Sequence, residues 1–242
     1  MSDYIVSSLK YRPSSFESVI GQKQITKTLE NSIKEKKIPS AILFCGPRGV
    51  GKTSCARIFA REINNFDYSD DLSFNIFELD AASNNKVEDI RDLIDKVRIP
   101  PQSGKYKVYI IDEVHMLSKN AENAFLKTLE EPPPHIVFIL ATTEKNKILP
   151  TILSRCQIYD FNRISENEIA ENLKQICVKE GVKFEDQALR IIAKKSDGSL
   201  RDSLTILDRV VNFTNKSISL KETSSILTVS YTHLTLPTSD LV

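Results

Sequence analysis

The residues with the most specific chemistry in this chain are consecutive: Gly46-Pro47-Arg48-Gly49-Val50-Gly51-Lys52-Thr53-Ser54. Glycines at Gly46, Gly49 and Gly51 let backbone N–H groups turn inward to surround phosphate oxygens. The apolar run Ala41–Cys45 before them reads as a strand, and Cys55–Ile63 after them as a helix whose positive end adds to the attraction. Lys52 would reach the outer phosphates of a nucleoside triphosphate, and the Thr53 hydroxyl would sit on the magnesium that neutralises them. A glycine-rich turn with a solvated lysine is the plainer reading. The legible strand and helix on either side favour the phosphate site.

Two further stretches could complete a hydrolytic site. The continuous apolar run Val108-Tyr109-Ile110-Ile111, closed by Asp112-Glu113, fits a strand buried on both faces, and open parallel sheets present ligands at such carboxyl ends. There Asp112 could hold magnesium through water, while Glu113 orients or deprotonates a water aimed at the terminal phosphate. An acidic strand end that caps the next helix is the alternative, and the phosphate loop upstream weighs against it. After a second buried run, Ile136–Ala141, Thr143 could bond the attacking water or the outer phosphate, or form a turn. Arg201, in the first turn of a C-terminal helix, is either a surface arginine or a charge reaching back to the nucleotide.

Positioning these groups requires alternating strands and helices. Ile25, Leu29 and Ile33 recur on one helical face, with Pro39 as the expected stop, and Val87, Ile90, Leu93, Ile94 and Val97 mark another stripe closed by Pro100-Pro101. Phe74–Leu79 fits a strand, Asn120–Glu131 a helix ended by Pro132-Pro133-Pro134, and Gln157–Phe161 a last short strand. Such alternation implies an α/β domain with a parallel sheet over residues 1–161. Beyond Asn162 three stripes follow, on Ile169/Leu173/Ile176/Cys177, Ala188/Leu189/Ile192/Ala193 and Leu200/Leu204/Leu207/Val211, as a small all-helical domain over 162–228 would show. The opening segment with Tyr11, Arg12, Phe16 and Val19-Ile20-Gly21 could pack as a plain arm or cover the base of a nucleotide.

Composition narrows the class. A net charge of +1 argues against gripping nucleic acid by bulk charge alone, although Lys34, Lys36 and Lys37 could form a local basic patch or a solvated helix end. No apolar stretch approaches the ~20 residues of a membrane span, and no signal peptide is legible, so a cytoplasmic location and no membrane partner are expected. The cysteines Cys45, Cys55, Cys156 and Cys177 form no CxxC pair, which suggests neither a zinc knuckle nor a disulfide framework.

Taken together, LKYRPSSFESVIGQ, GPRGVGKTS, ELDAASNNKVEDIRDLI, YKVYIIDEVHML, FLKTLEEPPPH, FILATTEKNKILPTILSRC and DGSLRDSL, in that order, resemble the AAA+ ATPases, and within them the gamma/tau family of bacterial clamp-loader subunits. The resemblance implies a P-loop sheet domain with a helical lid, and ATP with Mg2+ as ligands. Position by position, Lys52 and Thr53 look like the Walker A lysine and metal ligand, Asp112 and Glu113 like the Walker B pair, and Thr143 like sensor 1. Arg155 resembles an arginine finger that enters a neighbouring subunit's site, Arg201 resembles sensor 2, and Tyr11, Arg12 and Val19 match the segment that covers the adenine. The loop from Gly46 through Val50 to Ser54 would bind the phosphates.

The implied activity is ATP hydrolysis that drives loading of a sliding clamp onto primed DNA, within a DNA polymerase holoenzyme but without polymerising activity. The implied partners are delta and delta prime subunits, further gamma/tau copies, the clamp and primed DNA. A nucleotide-gated scaffold that does not hydrolyse, and a branch-migration translocase, remain the alternatives. Two departures stand out. The family's four-cysteine zinc module has no counterpart in the cysteine-free stretch Asn64–Ser73, so no zinc is expected, and the chain is expected to stop short of the family's collar domain. The tail from Val229 to Thr238 resembles a sequencing adapter translated in frame; residues 229–242 are expected to be non-native, with no role for His233.

Overall fold

The computed structural model describes residues 6–67, 74–83, 87–101, 103–214 and 217–232. They form two compact units: Pro13–Asn162, and the described residues up to Arg12 together with those from Arg163 onward. A single helical turn, α1 (Ser7–Lys10), belongs to the second unit.

The first unit runs α2 (Lys23–Lys34), β1 (Ala41–Cys45), α3 (Lys52–Glu62), β2 (Ile76–Asp80), α4 (Val87–Val97), β3 (Lys107–Asp112), α5 (Lys119–Glu130), β4 (Ile136–Thr142), α6 (Pro150–Leu153) and β5 (Gln157–Asp160). Every residue of β1 and β4 is buried. Strands buried on both faces suit a parallel sheet covered by helices, and the five strands pair in parallel in the order β2-β3-β4-β1-β5.

Successive strand residues point to opposite faces, and the core divides accordingly. Ile42, Phe44, Val108, Ile110, Val137 and Ile139 pack with Leu29 of α2 and with Cys55, Ile58 and Phe59 of α3. Leu43, Tyr109, Ile111, Phe138 and Leu140 pack with Ile90 and Leu93 of α4, Phe125 and Leu129 of α5, and Ile152 of α6. The chain leaves β1 toward β2 on one side and later returns to β5 on the other. That reversal opens a crevice at the carboxyl end of β1, where such sheets take ligands.

The helix α2 ends at Lys34, earlier than the stop expected from Pro39. Lys36 adopts a left-handed φ of 55°, and Lys37 N–H donates to Ser32 O at 2.9 Å while Lys36 N–H donates to Ile33 O at 3.0 Å. This pair of bonds satisfies the last carbonyls of the helix without a glycine.

In the second unit, α7 (Glu166–Glu180), α8 (Asp186–Lys195) and α9 (Leu200–Phe213) carry the three stripes. Ser165 and Glu168 cap α7 reciprocally, Gly181 closes it in a left-handed conformation, and Ser199 caps α9. Three features had no sequence signal: β6 (Lys183–Phe184) pairs in parallel with β7 (Ser217–Ile218), and α10 (Leu220–Thr232) follows. The helix α10 continues past position 228; the rest of the tail, His233 included, lies outside the described residues, as do 68–73 of the cysteine-free stretch.

Residues 6–12, read from sequence as part of the sheet domain, group instead with the helical unit. Ser7 N–H donates to Asp208 Oδ2 at 2.8 Å, and Lys10 Nζ and the Tyr11 hydroxyl both bond Glu180. No described helix is long and apolar enough to cross a membrane.

Candidate active site

The loop after β1 is shaped by contacts that admit only glycine at its start. Gly46 has a φ of 147°, and a Cβ there would lie 2.4 Å from the Phe161 carbonyl oxygen. Gly46 N–H donates to Thr142 O at 3.2 Å, which ties the loop to the end of β4. Gly51 (φ 106°) caps α3, so the first-turn amides of Lys52, Thr53 and half-buried Ser54 belong to the orphan donors of a helix start. Val50 is buried beneath the loop. Lys52 is buried as well, and its Nζ donates to Gly46 O and Pro47 O, each at 2.7 Å.

Across the crevice, the ends of β3 and β4 bring the acidic and hydroxyl groups together. Thr53 Oγ1 donates to Asp112 Oδ2 at 2.7 Å, and Asp112 Oδ1 accepts from Glu113 N–H at 3.0 Å. Glu113 takes a left-handed backbone (φ 50°, ψ 44°) and its Oε2 accepts from Thr143 Oγ1 at 3.0 Å and from Thr143 N–H at 3.3 Å. Thr143 thus donates twice to the Glu113 carboxylate.

The donor set fits the expected ligands. A threonine hydroxyl and a carboxylate are hard oxygen donors of the kind magnesium prefers, and a glycine cradle beside an ammonium and a helix start suits phosphate. A carboxylate beyond them can take a proton from water.

Two groups that sequence reasoning did not single out belong to this edge. The His115 side chain is 6% exposed; its Nδ1 lies 2.9 Å from Thr142 Oγ1 and its Nε2 3.3 Å from Glu144 Oε1. A histidine two positions past the acidic pair, and a carboxylate directly after Thr143, were the available signals. The Lys147 hydrogen bond, opposed by burial and aided by the charges of Lys147 and His115, holds the Glu144 carboxyl below its usual range.

Arg155 follows α6; its guanidinium donates to Glu130 Oε1 and to Thr151 O, each at 2.8 Å. Val19 is buried, and a side chain at Gly51 would meet its Cγ1 at 3.9 Å. Tyr11, Arg12 and Arg201 are in the helical unit. Burial, followed by the hydrogen bond to Glu180, pushes the Tyr11 hydroxyl up to about 12. Exposed Arg201 lies in the first turn of α9, its carbonyl accepting from Thr205 Oγ1 at 2.9 Å. Burial pushes the Cys55 and Cys156 thiols each up to about 12, consistent with unreactive packing residues.

Comparison with known proteins gives consistent matches. The family model described as "DNA polymerase III, delta subunit" matches residues 21–165, and that described as "DNA polymerase III clamp loader subunit, ATPase lid domain" matches 168–216. The chain is 48% identical over 227 residues to DNA polymerase III subunit tau of Bacillus subtilis, covering 88% of this chain and 40% of that protein. It is 42% identical over 240 residues to the gamma subunit of Buchnera aphidicola from Schizaphis graminum, covering 93% and 66%. With the tau subunit of Escherichia coli it shares 41% over 239 residues, covering 93% and 37%. The chain therefore spans between 37% and 66% of these relatives' lengths. Among solved structures, the RuvB Holliday junction branch migration motor of Thermotoga maritima superposes with a TM-score of 0.71 at 24% identity, over 90% of this chain and 72% of that one, a likeness of fold alone.

Proposed function

The chain belongs to the clamp-loader subunits of DNA polymerase III, and from that premise we propose that it is an ATP-hydrolysing motor subunit of the gamma/tau type. The observation that carries this reading is the hydrogen-bonded set Thr53, Asp112, Glu113 and Thr143 at the carboxyl edge, beside the glycine loop and Lys52. Lys52 and the amides from Gly49 to Ser54 would hold the phosphates of ATP, and Thr53 with Asp112 would hold magnesium. When bound, the metal supplies charge neutralisation at the phosphate oxygens. Glu113 orients a water and accepts its proton at the carboxylate, and Thr143, donating twice to Oε2, fixes where that carboxylate lies.

Arg155 is the proposed finger in trans. Its side chain is 34% exposed and paired with Glu130, so it is accessible to an adjoining subunit. A guanidinium supplied there would offset charge that develops on the transferred phosphoryl group, an effect worth roughly 10³ to 10⁵ in rate. Delta and delta prime subunits, further gamma/tau copies, the sliding clamp and primed DNA are the proposed partners, with hydrolysis releasing the clamp around the duplex.

Turnover of ATP in the assembled complex, with clamp and primed DNA, tests the reading. Glu113→Gln is expected to bind ATP and lose at least about a hundredfold in kcat, on the scale of losing a general base. A rate equal to wild type would leave a nucleotide-gated scaffold in place of a motor.

A further inference from the structure

The side chain of His115, two residues after Glu113, is 6% exposed, and neither the phosphate cradle nor the metal donors account for it. Its ring meets groups from two strand ends. Nδ1 lies 2.9 Å from Thr142 Oγ1 and 3.5 Å from Glu113 Oε2, while Nε2 lies 3.3 Å from Glu144 Oε1. Thr142 Oγ1 also accepts from Glu144 N–H at 3.0 Å, and Glu144 is held on its far side by Lys147 Nζ at 2.8 Å. A neutral ring satisfies Thr142 and Glu144 when Nδ1 accepts from the Thr142 hydroxyl and Nε2–H donates to the Glu144 carboxylate; the 3.5 Å approach to Glu113 Oε2 is then a packing contact and not a hydrogen bond.

Glu113 needs such support. Its left-handed backbone is one that a non-glycine residue keeps only where its surroundings over-determine it. Val114, next in the chain, is fully buried, and Met116 N–H donates to Glu113 O at 2.8 Å, so the turn carrying the ring is anchored to the core. From these contacts we infer that His115 is a positioning residue for Glu113, bridging the ends of β3 and β4 so that the carboxylate stays in register with Thr143. The inference rests on Glu113 acting as the base.

The test uses the chain assembled with its partner subunits, with clamp and primed DNA, and reads kcat, KM, nucleotide affinity and melting temperature. His115→Ala is expected to lower kcat about tenfold, with nucleotide affinity within about twofold of wild type, the pattern of a misplaced catalytic group. His115→Asn, whose amide falls where Nδ1 lies, is expected to recover most of that loss, and His115→Gln, which reaches only toward Glu144, less. With Glu113→Gln already present, His115→Ala is expected to cost nothing further, because no base is left to position. An equal loss of kcat in both backgrounds overturns the inference and leaves the hydrolytic reading standing. So do asparagine and glutamine variants that fold and turn over equally, a comparison that decides even if the alanine variant does not fold. A wild-type rate no faster than Glu113→Gln overturns both.

Discussion

The two edges of the parallel sheet use polar groups by opposite rules. At the amino edge, Lys107 opens β3, is buried, and donates through Nζ to Lys96 O at 2.9 Å and Ile99 O at 3.2 Å. The His135 ring, just before β4, puts Nε2 3.2 Å from Val97 O, and Asn64 Oδ1 accepts from the N–H groups of Lys105 and Tyr106. Each of these side chains binds backbone, so the last carbonyls of α4 and the adjoining loop are stapled shut. At the carboxyl edge, Thr53, Asp112, Glu113 and Thr143 bind mainly one another, and the carboxylates keep acceptor capacity beyond those bonds. One edge spends its buried polar groups on the fold, and the other keeps reactive oxygens converging on a glycine loop.

The largest effect should come from closing the loop with a methyl group. Gly46→Ala would force a Cβ to within 2.4 Å of Phe161 O at a φ of 147°, and a loss of about 3 kcal/mol or more is expected together with nucleotide binding. Denaturant unfolding with and without ATP checks this; normal nucleotide affinity would mean that the loop tolerates a side chain and that the cradle is drawn wrongly.

The amino edge should respond differently. Lys107→Met keeps the aliphatic stem and removes the hydrogen bonds to Lys96 O and Ile99 O, the first of which still accepts from Ile99 N–H, at a cost of about 2 kcal/mol. Nucleotide affinity should be unchanged by isothermal titration. A variant as stable as wild type would show that the α4 end is not held by this lysine.

A third buried group belongs to neither edge. Burial holds the Glu122 carboxyl of α5 above its usual range, with Lys119 drawing it partly back. The folded state then binds the proton more tightly than the unfolded chain, so this group's contribution to stability falls as pH rises through the interval between the two pKa values. Glu122→Gln should remove that slope and stabilise the protein at neutral pH by about 1 kcal/mol, the scale of one poorly compensated buried group. Melting temperatures across pH 4 to 8 read the difference, and an unchanged slope would exclude Glu122 as its source. The smallest effect is expected just past the end of α2: Lys36→Gly relieves a left-handed lysine and should stabilise by about 0.5 kcal/mol, after the entropy cost of glycine, without altering turnover.

The carboxyl edge was more legible in the sequence than the amino edge, for a physical reason. Phosphate binding demands glycines, a lysine and a hydroxyl in one contiguous run, and strands buried on both faces leave unbroken apolar runs, of which Val108–Ile111 ends at the acids. Lys107 and His135 gave no such sign, because a lysine or histidine before a strand reads as solvated until the helix end that it caps is in view. His115 was hidden likewise, since its partners Thr142 and Glu144 lie on another strand's end. The stop at Lys34 escaped notice because a lysine performs the left-handed turn usually signalled by glycine. The place of residues 6–12 depends on Asp208 and Glu180, far along the chain.

The account is tested most directly by taking Glu113→Gln and Lys107→Met through the same two assays, ATP turnover in the assembled complex and thermal unfolding of the chain. It predicts that Glu113→Gln abolishes turnover while unfolding near the wild-type temperature, and that Lys107→Met unfolds early yet turns over ATP normally below its transition. Turnover that survives Glu113→Gln, or that fails in Lys107→Met while the fold is intact, would contradict the division of labour between the two edges.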